Sequence, residues 1–143
     1  MCFTGNFALT MMLEPAVLAP VLCQPSMPLE DASALESDPH EPDAVRGRLK
    51  REDLTVRAYR FAGDRFCPAQ RFEAYSEALG DRFEGRVLPD DSANTRDLPP
   101  FFEHVIKDAH SVVTVHLVDE LGQPTLAARD EILEFFARRL KAA

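Results

Sequence analysis

Residues 54–80 read LTVRAYRFAGDRFCPAQRFEAYSEALG. The spacing predicts a strand over Leu54 to Ala62, ended by the turn pair Gly63-Asp64. Pro68 then stands where a first helical turn tolerates proline, because its missing N–H would be unpaired there anyway. Phe72, Tyr75 and Leu79 recur at i, i+3, i+7, and Gly80 follows as a stop, so Pro68 to Leu79 reads as a helix with one buried face. A strand feeding a helix through a short turn is the unit of a parallel sheet.

The flanks repeat this unit. Ala19 to Gln24 (APVLCQ) is a short, continuously apolar run, as expected of a parallel strand covered on both faces, with Pro20 at its opening. Phe83 to Leu88 reads as a third strand. Ala44 to Glu52 reads as a short basic helix with Val45 and Leu49 on one side, and Pro100 to Lys107 as a short helix in a long connection. Thr125 is placed to cap a closing helix whose Ile132, Leu133, Phe136 and Leu140 would face the core. Phe3 to Leu13 (FTGNFALTMML) has no clear polar face, so a helix buried nearly all round is expected, ended by Pro15. Gln24 to Asp43 is a Pro-, Ser- and acid-rich loop or lid. The sum is an α/β fold with a three-stranded parallel sheet and flanking helices.

Composition narrows the function classes. The 143 residues suffice for one domain, with 45% apolar and 28% charged residues in the ordinary globular range. Sixteen basic against 24 acidic residues leave a net charge of -8, poorly matched to nucleic acid or an anionic membrane surface. All the basic residues lie after Val45. Glu14, Pro15 and Pro20 interrupt the apolar start, which also lacks the basic beginning of a signal peptide. Three cysteines without a CxxC pair suit a reducing, cytoplasmic setting. His104, His110 and His116, six residues apart, fit neither helical nor strand-face metal spacing, so no metal is expected.

Three residues carry the candidate chemistry. Cys2 precedes a helix in MCFTG, Asp64 lies past a strand tip in AGDRFCP, and His110 lies beyond the last strand in DAHS. Parallel sheets gather ligand-binding residues at the carboxyl ends of their strands, so the three can meet across the chain. A thiol at a helix start favours its thiolate, a histidine carries the proton, and a carboxylate holds the imidazole in one tautomer. The order nucleophile, acid, histidine is that of α/β-hydrolases, where the N–H after the nucleophile, here Phe3, donates to the oxyanion. Each residue also has a plainer reading: Cys2 as a small apolar residue, Asp64 as a turn or cap aspartate, His110 as a hydrogen-bonded surface histidine. Cys23 and Cys67 read as structural.

In this order MCFTG, AGDRFCP and DAHS resemble the nucleophile elbow, acid turn and histidine loop of the dienelactone hydrolase family, whose elbow reads G-x-C-x-G-G. The resemblance extends through the closing helix and covers the C-terminal half of a family member. It implies a remnant of an α/β-hydrolase sheet over 1–143 without its N-terminal strands. It also implies Cys2 as nucleophile, Asp64 as acid, His110 as base, no cofactor, and an ester or lactone substrate. Thr4 stands where the family often has glycine, and Thr114 where its prototypes hold a substrate carboxylate with arginine. Two other readings remain. One is a truncated, non-catalytic fragment that self-associates through an exposed sheet edge; the other is a thiol-redox or binding module using Cys2 with Cys23 or Cys67.

Overall fold

The computed structural model describes residues 1–141. Its centre is a parallel sheet of three strands, β1 (Val21–Cys23), β2 (Val56–Phe61) and β3 (Phe83–Leu88), in the order β1-β2-β3. Val21 pairs with Arg57 and Val56 with Phe83, so all three carboxyl ends reach the same rim. The expected strands are present, each of the first two shorter by a few terminal residues.

Helices cover both faces because β2 carries apolar side chains on both. Val56 and Ala58 point to one side, where they pack with Leu22, Cys67, Val45 and Leu49 of α2 (Glu41–Arg51), and Phe72, Tyr75 and Leu79 of α3 (Ala69–Leu79). Tyr59 and Phe61 point to the other, against Cys23, Leu88, Val112, and Ala128 and Ile132 of the closing helix. Alternating side chains on one strand thus close two cores. Pro68 sits just before α3 in extended conformation, and Gly80 ends that helix as expected. The basic helix begins three residues earlier than predicted, so the irregular acidic loop is shorter than 24–43.

Three expectations are corrected. The predicted Phe3–Leu13 helix is instead a 3-10 turn (Cys2–Thr4), one short α1 (Phe7–Thr10) and a second 3-10 turn (Met11–Leu13). Only Leu9 and Met12 of α1 and that second turn are buried, while Phe3, Phe7, Met11 and Leu13 are exposed. A run without a polar face therefore still divides into a core side and an open side. The closing helix, α5 (Pro124–Leu140), follows a short α4 (Pro100–His104) and buries Leu126, Ala128, Ile132 and Phe135, leaving Leu133 and Leu140 exposed. The guanidinium groups of Arg57 and Arg139 lie over the Phe135 ring at 4.9 and 6.0 Å, so the buried face of this helix includes a ring stacked by cations. Thr125 does not cap α5; its buried Oγ1 accepts the Val118 N–H at 2.9 Å and ties down the preceding loop. Among the described residues no helix is long and apolar enough to cross a membrane.

Candidate active site

Cys2, Asp64 and His110 meet at the rim formed by the strand ends. His110 Nε2 lies 3.2 Å from Cys2 Sγ, and His110 Nδ1 lies 2.7 Å from Asp64 Oδ2. Asp64 and His110 are buried, and Cys2 is half-buried. The chain therefore brings together all three residues that the sequence singled out, across separations of 62 and 46 positions.

Each arm has a local cause. Cys2 adopts φ 54°, the left-handed region that a side chain with a β-carbon rarely enters. Its carbonyl accepts N–H groups from Gly5 (2.9 Å) and from Ser26 (3.1 Å), which docks this turn onto the segment after β1. Gly5 is needed for that approach. A β-carbon there would lie 2.9 Å from the Pro25 α-carbon, closer than such carbons come, and 3.2 Å from the Cys23 carbonyl oxygen, which would have to give way.

The acid turn resolves the two readings of Asp64 by using both oxygens. Oδ1 accepts the Phe66 and Cys67 N–H groups at 3.0 and 3.2 Å, closing the turn, while Oδ2 faces the imidazole. The buried Arg60 braces the same turn, donating to the carbonyls of Cys67 (2.7 Å) and Ala62 (2.9 Å). Gly63 donates to Asp90 Oδ1 at 2.8 Å, and a β-carbon on it would stand 2.6 Å from the other oxygen. Arg65 pairs with Asp108, which links the acid turn to the histidine loop.

The electrostatics favour a thiolate beside an imidazolium. The hydrogen bond from His110 holds the Cys2 thiol below its ordinary range against the opposing effect of burial, helped by the Ser26 hydroxyl and the Phe3 N–H. Burial opposes a charge on His110, but its hydrogen bonds to Asp64 and Cys2 outweigh that and raise it to about 9. Both shifts move the proton toward nitrogen. The expected helix-start effect on Cys2 is corrected here, since only a 3-10 turn and a four-residue helix follow it, and the imidazole is the main cause. The Ser26 hydroxyl lies 3.0 Å from the Gln24 carbonyl and 3.9 Å from Sγ, so it can donate to either. Burial pushes the Cys23 thiol up to about 11 and raises Cys67 further, which leaves Cys2 as the reactive sulfur among three unbridged cysteines.

Sequence reasoning passed over Ser26 and Arg60, and weighed His116 only as a metal ligand. The first two lie in the shadow of a motif and carry no pattern of their own. His116 sits behind the histidine loop, its Nδ1 accepting backbone N–H groups from Ser111 (2.9 Å) and His110 (3.1 Å). Among the described residues no group of three or more His, Cys, Asp or Glu side chains is arranged to hold a metal ion. No family model, curated protein or solved structure matches this chain.

Proposed function

We propose that the chain is a hydrolase of ester or lactone bonds that works through a Cys2–His110–Asp64 triad on an α/β-hydrolase-like sheet of the dienelactone hydrolase kind. The observation that carries this reading is the continuous contact from Asp64 Oδ2 through both ring nitrogens to Cys2 Sγ. The left-handed backbone at Cys2 and the glycine-dependent approach at Gly5 add to it, because a nucleophile elbow needs a strained, tightly packed turn.

The steps follow from the proton positions. Cys2 thiolate attacks the carbonyl carbon, and the developing oxyanion takes the Phe3 N–H. The imidazolium of His110 passes its proton to the leaving alkoxide, leaving a thioester on Cys2. The now neutral imidazole accepts a proton from water, and the hydroxide so formed attacks the thioester carbonyl. Departure of the Cys2 thiolate restores its ion pair with the reprotonated His110. Asp64 keeps Nδ1 protonated throughout and steadies the imidazolium.

Hydrolysis of an aryl acetate tests the reading. Cys2→Ala should abolish turnover, whereas Cys23→Ala, in the core, should keep it; equal rates in Cys2→Ala and the unaltered protein would sink the mechanism. A second reading, a non-catalytic chain that acts by association, draws on a separate observation. Among the described residues β1 pairs only with β2, and Phe3, Phe7 and Met11 lie exposed at intervals of four. It would be favoured by concentration-dependent mass in sedimentation together with no ester turnover at any concentration.

A further inference from the structure

His116 is buried, yet it belongs to neither the triad nor the apolar core in any ordinary sense. Its ring is held edge-on against Phe61 and Phe102, at centroid distances of 6.2 and 5.5 Å. Its own N–H donates to the Ser111 carbonyl at 3.1 Å, and its carbonyl accepts the Asn94 N–H at 2.9 Å. Its orientation is therefore fixed from both sides. Two backbone donors, the N–H groups of His110 and Ser111, converge on Nδ1. A ring nitrogen in that position must present its lone pair, so the proton of the neutral ring resides on Nε2.

Resting on the hydrolase reading for its catalytic meaning, we propose that His116 is a positioning residue. Its unprotonated Nδ1 clamps the backbone of the catalytic histidine, and a proton on that nitrogen releases the clamp. Protonation would set an N–H against two N–H groups and cost both hydrogen bonds at once. The backbone carrying the His110 imidazole would then lose its fixed height above Cys2 Sγ.

The surroundings set the direction of the titration. Burial first, and then the charge of His110, disfavour the imidazolium of His116, while Asp64 in the acid turn favours it; the balance lies below the ordinary histidine range. A cleft of about 570 Å³ behind the histidine loop is lined by His116 together with Asp90 after β3, Glu103 of α4, and Lys107 and Asp108 before His110. The clamp is accordingly closed at neutral pH and opens in acid, as pH falls below the usual histidine value.

Alkylation of Cys2 by iodoacetamide, followed by peptide mass mapping across pH, reads the clamp without needing any substrate. Asparagine at 116 can keep an acceptor oxygen where Nδ1 stands but cannot titrate; leucine keeps the bulk and removes the acceptor. In the unaltered protein the acid limb of alkylation should need two protons, one on the Cys2–His110 pair and one on His116. His116→Asn should alkylate close to the unaltered rate at alkaline pH and show a one-proton limb. His116→Leu should react more slowly by about tenfold near neutral pH, where the thiolate depends on the His110 contact, and approach the unaltered rate in alkali, where the thiol ionises without it. An acid limb in His116→Asn identical to that of the unaltered protein overturns the proposal, even if the leucine variant fails to fold. A clamp that behaves as stated in a chain without esterase activity would overturn the hydrolase reading alone.

Discussion

Asp64 turns one carboxylate oxygen to its own backbone and the other to an imidazole, and this division makes it a sharp probe. In Asp64→Asn the amide oxygen can still accept the Phe66 and Cys67 N–H groups, so the turn is kept. The amide N–H groups then face His110 Nδ1 and force the proton onto Nε2, where it can no longer accept from Cys2. Ester turnover should fall on the order of 10³–10⁴-fold, with melting temperature little changed above about pH 9, where His110 is uncharged in the unaltered protein too, since the turn and its packing are kept. The pH dependence has a definite sign. His110 is raised from 6.5 to about 9, so the stability from its charged form is complete below 6.5 and is lost as pH rises through about 9. Melting curves recorded across that window should show a decline in the unaltered protein that Asp64→Asn flattens. A loss of melting temperature in Asp64→Asn with unchanged turnover would reduce Asp64 to its turn-closing role.

At the scale of elements, the N-terminal segment that carries Cys2 is held by a residue of α2. Arg48 is buried, and its guanidinium donates to the carbonyls of Met12 and Glu14 (both 2.6 Å) and Pro15 (2.9 Å). These carbonyls lie where the N-terminal helical run ends, and that of Glu14 also accepts the Val17 N–H at 3.0 Å. Arg48→Met should cost about 2–4 kcal/mol in urea unfolding, because three acceptors lose a charged donor. Arg48→Lys should recover only part of it, since one ammonium cannot reproduce the fork. An unfolding free energy unchanged in Arg48→Met would show that water replaces the guanidinium at no cost. None of this was legible in the sequence, where a basic residue reads as solvent-facing and the three carbonyls lie 33 to 36 positions away. The strands and α3 were legible because alternation, helical spacing and Gly80 all act locally. The N-terminal run and the face of α5 were not, because solvent exposure of Phe7 and stacking of Arg57 on Phe135 depend on partners far along the chain.

Across the whole molecule, three parallel strands in sequence order bring one chemistry-bearing turn apiece to a common rim. Cys2 docks beside the end of β1 through Ser26, Asp64 follows β2, and His110 follows β3 by way of a loop pinned at Asn94 and His116. The convergence was legible because motif order and strand ends sufficed to predict it. The supports were not, since Arg60, Ser26 and His116 act through backbone groups that leave no periodic trace. In the proposed mechanism the Cys2 sulfur itself takes the acyl group. Rapid mixing with an aryl acetate, acid quench and peptide mass spectrometry would measure this directly. The expected result is an acetyl thioester on the peptide containing Cys2, forming before steady turnover. Hydrolysis with that peptide unmodified, or with the acetyl group on another residue, would contradict it.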